Sequence, residues 1–235
     1  MITLGLDPSL TGYGWCIHDS DASNKSRRIA SGRESTKTNM VPVSRFIQFR
    51  KMVSSLIHKY NPSHVGIESP AYDGPFQVIH HGLMLFSLEA IFEHRVDVVL
   101  FDPSTLKSLV RSNKKHGGKI LKSDVQRFVS IDTLDSKFIS SDEADAYAIG
   151  YFTARFFNLA DGVIDQKSLS ESERRVFLEK TKKKKTATGE KIVRTAHIFR
   201  ENSRVFKFSS IPKDSVILPA KSKINPSLIN LSIKE

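Results

Sequence analysis

ITLGLDPSLTGYGWCIH, residues 2–18, contains two apolar runs on either side of a turn. Residues 2–6 predict a β-strand that ends at Asp7, because the proline that follows cannot donate a hydrogen bond to a strand ladder. Residues 15–18 predict a second strand, paired with the first as a hairpin. Residues 28–33 follow a polar stretch and predict a third strand. The chain is therefore expected to start with three antiparallel strands.

Helices and strands are predicted to alternate along the next part of the chain. Apolar residues at spacings of three and four predict an amphipathic helix over residues 43–58. Short apolar runs at residues 64–68 and 96–101 predict strands of a buried parallel sheet. Further helices are predicted at residues 76–94, 103–111, 122–130 and 140–159. This order favours an α/β fold with a mixed five-stranded sheet, three strands antiparallel and then parallel ones, flanked by helices on both faces.

The composition limits the partners and the location of the protein. The 235 residues carry 36 Lys and Arg against 25 Asp and Glu, a formal charge of +11. Such an excess favours a polyanionic partner, above all nucleic acid. No run of apolar residues is long enough to span a membrane, and residues 1–7 lack the pattern of a signal peptide, so we expect a cytoplasmic protein with no membrane partner. Cys16 has no disulfide partner and is expected in the core.

The character of the chain changes after residue 165. Residues 1–165 hold the regular alternation of helices and strands, whereas a lysine run and weak strand-like pieces separated by prolines follow. We therefore predict one domain over residues 1–165 and a basic C-terminal extension of uncertain structure over residues 166–235.

Four carboxylates stand at the ends of predicted elements. Asp7 ends the first strand, Glu68 ends the fourth, and Asp142 and Asp145 lie three residues apart on one helix face. If the fourth strand lies beside the first, all four meet at one edge of the sheet. Phosphodiester hydrolysis uses such a cluster, because carboxylates hold the two Mg²⁺ ions that flank the attacking and leaving oxygens.

Each acid also has a simpler interpretation. An aspartate before a proline is common in turns, a glutamate can end a strand in solvent, and acids in the first turn of a helix interact favourably with its dipole. We retain the last interpretation for Glu143, which the helical period turns to another side and which has capping-box spacing from Ser140. The placement of all four others at the ends of successive elements favours a site.

Three motifs together resemble the RuvC family of Holliday junction resolvases. They are GLDPS and TGYG at residues 5–9 and 11–14, VGIE at residues 65–68, and DEADAYAIG at residues 142–150. The resemblance, which covers about residues 1–160, implies a ribonuclease H-like fold and two Mg²⁺ ions, or Mn²⁺, bound by Asp7, Glu68, Asp142 and Asp145. It also implies a homodimer that nicks two strands of a four-way junction symmetrically and leaves 5′-phosphate ends. The lysine-rich extra segment would suit a phage or viral member.

The resemblance also indicates residues for DNA binding. Lys107 and Lys122 match basic positions of the family, and Lys122 could neutralise charge at the scissile phosphate, although both could be solvated helix residues. Family members carry an aromatic residue three positions after the glutamate, where this chain has Ala71. Tyr72 and, further on, Phe76 are therefore the candidates for stacking on a base, although either could be a core residue and the core is favoured for Phe76. The remaining candidates are the basic loop and the lysine run, Lys114, Lys115, Lys119, Lys182, Lys183, Lys184 and Lys185.

Other functions remain as alternatives at the level of the sequence. The same carboxylates would serve a broader branched-DNA or flap endonuclease, or a relative that cleaves RNA. A non-catalytic nucleic-acid-binding module is disfavoured because no carboxylate of the set is missing. A sugar kinase-like ATPase is disfavoured because it would need a second glycine-rich phosphate loop and a much longer chain.

Overall fold

The structure is a computed structural model of the whole chain. It describes residues 1–9, 12–23, 27–37, 39–70, 77–110, 121–133, 140–178, 182–186, 189–193, 196–200 and 204–207. None of the helices within these ranges is long and apolar enough to cross a membrane.

A mixed sheet forms the centre of the molecule. Its first five strands are β1 (Ile2–Asp7), β2 (Tyr13–Asp19), β3 (Arg28–Glu34), β4 (His64–Glu68) and β5 (Asp97–Phe101). β2 pairs antiparallel with both β1 and β3, whereas β4 pairs parallel with β1 and with β5. The predicted five-stranded mixed sheet is therefore confirmed.

Helices cover both faces of this sheet, as predicted. They are α1 (Pro42–Tyr60), α2 (Gln77–Glu93), α3 (Pro103–Val110), α4 (Lys122–Thr133) and α5 (Ser141–Ala160). One hydrophobic cluster joins α1 and α2 to one face of the sheet, and a second joins α3, α4 and α5 to the other. Cys16 is fully buried in the second cluster, in agreement with its predicted core position.

Alternation along the strands decides which side chains face α5. Leu4 and Leu6 of β1 belong to the cluster with α1 and α2. Successive strand residues point to opposite faces, so Thr3, Gly5 and Asp7 face α5. The hydroxyl of Thr3 confirms this direction, because it donates to the carbonyl oxygen of Gly150 in α5 at 2.9 Å.

Glycines let α5 lie directly against the sheet. A Cβ added at Gly5 would overlap the carbonyl oxygen of Ala146, and one added at Gly14 would overlap the carbonyl of Asp142. The backbone of α5 therefore contacts the backbone of β1 and β2 without an intervening layer of side chains. This contact fixes the first turn of α5 beside the ends of the two strands.

Residues after 165 continue the same core. Leu169, Val176 and Phe177 are buried in the cluster that contains α5. They lie around the short helix α6 (Glu171–Glu173), whose capping box joins Ser170 to Glu173. Arg155 of α5 donates from Nε to Glu173 at 2.7 Å. The division at residue 165 stays a prediction, but the segment that follows it packs against α5.

The described residues of the basic extension contain four more strands. They are β6 (Lys182–Thr186), β7 (Gly189–Val193), β8 (Ala196–Arg200) and β9 (Arg204–Lys207). β6 and β7 form a hairpin of their own, whereas β8 pairs antiparallel with β5 and β9 pairs with β8. Within the described part of the chain, the central sheet thus has seven strands in the order β3-β2-β1-β4-β5-β8-β9.

The close contact at Gly5 gives a test of the fold. We expect Gly5→Ala to lower the free energy of unfolding by about 1–3 kcal/mol, because the added methyl group has no room beneath α5. Urea denaturation followed by circular dichroism would measure this loss.

Gly162 provides the matched control. It has φ of 73° and nothing within 4 Å of an added Cβ. Asparagine tolerates this left-handed conformation, so Gly162→Asn should cost less than about 1 kcal/mol. Equal stability of Gly5→Ala and the wild type would contradict the direct packing of α5 on β1.

Candidate active site

Asp7 and Glu68 lie side by side at one edge of the sheet. The parallel register pairs Leu6 with Ile67, so the residues that follow them end neighbouring strands at the same level. Leu6 and Ile67 point to the face that carries α1 and α2. Successive strand residues alternate, so Asp7 and Glu68 point to the face that carries α5. Adjacent strand ends therefore bring two acids together that are 61 positions apart in the chain.

The other two acids come from the first turns of α5. The side chain of Ser140 accepts a hydrogen bond from the backbone N–H of Glu143 and so fixes where the helix begins. Asp142 and Asp145 are three residues apart and share the side of the helix that faces the strand ends. The predicted capping position at Ser140 is confirmed.

Asp7 and Glu68 influence each other at close range. Burial raises the pKa of Asp7 well above its ordinary value, and the negative charges of Glu68, Asp145 and Asp142 raise it further. The direct contact between the two carboxyl groups also raises the pKa of Asp7 and lowers that of Glu68. Burial also raises the pKa of Glu68, while its contact with Asp7 and the charges of two lysines oppose the rise.

Asp145 experiences the same crowding. Burial, and then the charge of Glu68, raise the pKa of Asp145 to about 6. Lys122 and Lys107 lower the pKa of this carboxyl and that of Glu68, so both ammonium groups lie within electrostatic reach of the acids. The cluster is therefore a place where ionised carboxylates are costly unless cations approach them.

Asp142 is the acid with direct cationic contacts. Arg33 Nε lies 2.7 Å from its Oδ2, and Lys122 Nζ lies 3.6 Å from its Oδ1. The hydroxyl of Ser141 also donates to Oδ1 at 3.2 Å. Each carboxylate oxygen of Asp142 therefore has a partner within the protein.

Glu143 belongs to a different group of contacts. Its Oε2 accepts a hydrogen bond from the hydroxyl of Ser31 in β3 at 2.6 Å, and its Oε1 accepts one from Ser140 at 3.0 Å. These contacts close the start of α5 and fasten it to β3. The side chain of Glu143 is thus used in capping and in packing β3 against α5.

The donor set fits divalent cations. Carboxylate oxygens are hard ligands, and three of these four carboxyl groups have raised pKa values because they are buried beside other acids. Within the part of the chain that the structure describes, no group of three or more histidine, cysteine, aspartate or glutamate side chains is arranged to hold a metal ion as it stands. The contacts that occupy the carboxylates are those of Asp7 with Glu68 and of Asp142 with Arg33 and Lys122.

The predicted DNA-binding residues divide into two sets. Lys107 in α3 and Lys122 at the start of α4 both lie near the carboxylates. Tyr72, Lys114, Lys115 and Lys119 lie outside the described residues, as do Ala71 and Phe76. The lysine run Lys182, Lys183, Lys184 and Lys185 lies in β6, of which only the backbone is described.

Arg33 is a residue of the site that the sequence did not predict. The two hairpin registers pair Asp7 with Gly14 and Gly14 with Arg33, so these residues form one row across three strands. Residues in one row point to the same face of a sheet. A register assigned to the predicted hairpins would therefore have placed Arg33 on the same face as Asp7, separated from it by a glycine.

Curated relatives of the chain share one name. The crossover junction endodeoxyribonuclease RuvC of Orientia tsutsugamushi is 30% identical over 155 residues, which are 64% of this chain and 93% of the relative. The protein of that name from Neorickettsia sennetsu is 26% identical over 162 residues, 66% of this chain and 93% of the relative. No protein-family model matches the chain.

Solved structures of proteins with the same name share the fold of this chain. RuvC of Thermus thermophilus superposes with a TM-score of 0.57 at 22% identity, covering 67% of this chain and 97% of that one. The same enzyme in complex with a Holliday junction substrate gives a TM-score of 0.54 at 21% identity, covering 66% and 95%. The shared fold, together with the identity across nearly the whole length of the Orientia protein, shows that the chain belongs to the RuvC family of crossover junction endodeoxyribonucleases.

Proposed function

We propose that this protein is a metal-dependent endonuclease that resolves four-way DNA junctions by paired symmetric nicks and leaves 5′-phosphate ends. The observation that supports the proposal is that the four acids lie at the adjoining ends of β1, β4 and α5, with Lys122 beside Asp142. Membership in the RuvC family and the formal charge of +11 support DNA as the substrate. The cytoplasmic location remains part of this proposal.

Asp7, Glu68, Asp142 and Asp145 would hold two Mg²⁺ ions, for which Mn²⁺ could substitute. When bound, such ions activate a water molecule for attack and stabilise negative charge on the phosphodiester. The charges of the other three acids all raise the pKa of Asp7, which therefore lies within reach of each of them. Asp7 would be the ligand that both ions share.

Lysines supply the positive charge around the acids. Lys122 Nζ is 3.6 Å from Asp142 and 3.2 Å from the hydroxyl of Ser141, at the exposed side of the cluster. From there it can neutralise charge on the scissile phosphate. Lys107 lies near Glu68 and Asp145 and contributes to the same positive field.

The remaining contacts to DNA are proposed from the sequence. Lys114, Lys115 and Lys119 are suited to phosphates, and Tyr72 to stacking on a base at the centre of the junction. The run Lys182, Lys183, Lys184 and Lys185 would extend the basic surface. β8 covers the edge of β5, so the lysine run is better tested by substitution than by removal of the extension.

A homodimer would supply the second active site that paired nicks require. α2 carries an exposed apolar row with seven-residue spacing, in which Val78 is 85%, Leu85 59% and Phe92 46% exposed. Seven residues are close to two helical turns, so the three side chains lie on one face. We assign this face to the contact with a second copy of the chain.

The substrate is tested with synthetic DNA in Mg²⁺. We expect cleavage of a four-way junction to be faster than cleavage of a flap or a linear duplex. Asp7→Asn should lower the cleavage rate by about 10²–10³-fold, because the group between the two ions loses its charge. Rates are measured on end-labelled strands separated by denaturing electrophoresis.

Glu143→Gln is the matched control for this assay. The amide can still complete the cap of α5, and Glu143 contacts Ser31 and Ser140 rather than the acids. This variant should cleave like the wild type. Full activity of Asp7→Asn would contradict the role of the carboxylates, whereas equal cleavage of flaps, duplexes or RNA would contradict only the preference for junctions.

Metal removal gives a test that does not depend on cleavage. In EDTA at pH 7.5, Asp145→Asn should raise the free energy of unfolding by on the order of 1–3 kcal/mol, because an ionised carboxylate with a raised pKa opposes folding. Excess Mg²⁺ should stabilise the wild type more than the variant, because the variant lacks one ligand. A lower stability of Asp145→Asn than of the wild type in EDTA would contradict this account of the cluster.

The dimer is tested by placing a charge on the apolar row of α2. Leu85→Glu should give a monomer in sedimentation velocity, because an unpaired charge is costly at an apolar interface. Ile131→Glu, a matched change at an exposed apolar position on α4, should leave the dimer intact. A dimeric Leu85→Glu protein would show that another surface joins the two copies.

A further inference from the structure

Arg33 makes the shortest cationic contact in the carboxylate cluster. Its Nε lies 2.7 Å from Oδ2 of Asp142, against 3.6 Å from Lys122 Nζ to the other oxygen. The contact joins β3, at the edge of the sheet, to the first turn of α5. A divalent cation that uses Asp142 as a ligand must compete with this arginine.

The position of Arg33 is fixed by its neighbours. Ser31, two residues earlier on the same face of β3, donates to Glu143 of α5. The guanidinium lies over Gly12, where an added Cβ would overlap it. The backbone of β3 and the absence of a side chain at Gly12 thus hold the charged group beside Asp142.

The guanidinium also reaches solvent. The side chain of Arg33 is 43% exposed, whereas that of Asp142 is 17% exposed. Arg33 therefore covers Asp142 from the solvent side, the side from which a DNA strand must approach. A guanidinium presents several N–H donors in a planar fork that matches phosphate oxygens.

We propose that Arg33 exchanges partners during substrate binding: it pairs with Asp142 until a divalent cation takes that carboxylate, and it then binds a phosphate of the DNA strand at the site. This inference rests on the proposed function and adds to it a residue that positions the substrate. The exchange would make metal binding and phosphate binding depend on each other.

Electrostatics favours both halves of the exchange. A divalent ion at Asp142 replaces the charge that Arg33 supplies and repels the guanidinium from the carboxylate. The displaced group would stay tethered to β3, beside the proposed path of the scissile strand. A phosphate of that strand would be an anion within its reach, and its oxygens accept paired hydrogen bonds from the fork.

Removal of Arg33 should therefore have opposite effects on the affinity for metal and on the affinity for DNA. Without its competitor, the metal should bind more tightly. Without the phosphate ligand, DNA should bind more weakly, but only when metal is present to release Arg33. If Arg33 merely stabilised β3, its removal would weaken the binding of both ligands or of neither.

Metal affinity is measured first, without DNA. Mn²⁺ is titrated into the full-length protein, and free Mn²⁺ is followed by its electron paramagnetic resonance signal. Arg33→Gln should bind Mn²⁺ about three- to fivefold more tightly than the wild type. The affinity of Arg33→Lys for Mn²⁺ should lie between those of the wild type and Arg33→Gln, because lysine keeps the positive charge without the planar fork of N–H donors.

Arg50→Gln is the matched control for the loss of one positive charge. Arg50 pairs with Glu89 and Glu93, on the α1 and α2 side of the sheet. The Arg50→Gln substitution should leave the affinity for Mn²⁺ unchanged. Thermal melting of each variant establishes that the fold is retained.

Junction binding is measured next, by fluorescence anisotropy over a range of salt concentrations. In Ca²⁺, with the substrate shown to be intact afterwards, Arg33→Gln should bind about three- to tenfold more weakly, and its salt slope should fall by about 1. In EDTA the variant and the wild type should have the same slope, because Arg33 is then paired with Asp142.

Two results would overturn the exchange. One is an affinity for Mn²⁺ in Arg33→Gln that is equal to or weaker than that of the wild type. The other is a change in salt slope that is the same in EDTA as in Ca²⁺, since it would make Arg33 a constant phosphate ligand. A wild type that bound neither Mn²⁺ nor junctions would overturn the proposed function and the exchange with it.

Discussion

The direct contact between α5 and the strands β1 and β2 is the constraint on which the site depends. Gly5 and Gly14 leave no side chain between helix and sheet, so the carbonyl oxygens of Ala146 and Asp142 lie where Cβ atoms would otherwise be. A larger residue at either position would move the first turn of α5 away from the strand ends. The distance between Asp142 and the pair formed by Asp7 and Glu68 is therefore set by backbone packing, not by the acids themselves. Packing of this kind can hold like charges together that would separate if they were free to do so.

The crowding of the acids has a cost that the nearby cations reduce. Burial and mutual repulsion raise the pKa values of Asp7, Glu68 and Asp145, while Lys107 and Lys122 oppose the rise at Glu68 and Asp145. Arg33 pairs with Asp142 from the edge strand β3. The protein thus supplies single positive charges on flexible side chains around a cluster suited to divalent ions. Such charges lower the cost of folding the site, and each can later move to a phosphate.

Much of the fold follows from short-range patterns in the sequence, whereas the contacts of the site depend on pairing between distant segments. Alternation and apolar runs predict the first five strands, and the capping position at Ser140 predicts the start of α5. The ends of these elements carry Asp7, Glu68, Asp142 and Asp145, so the acids could be singled out without a structure. Arg33 could not, because its importance depends on the register of two hairpins and on the direction of a long side chain. The pairing of β8 with β5 could not be predicted either, because residues 196–200 lie outside the predicted elements and nothing in them specifies a partner.

The two ends of the strand order differ in what they present. Beyond β5 the sheet continues into β8 and ends at β9, so β8 covers backbone groups that β5 would otherwise offer to other chains. At the other edge, β3 is fastened to α5 through Ser31 and Glu143 and brings Arg33 to the acids. Strand pairing with a second copy is therefore blocked at β5, and the side chains of β3 that face α5 serve the site. The exposed apolar row of α2 offers a helix face, not a strand edge, for joining two copies.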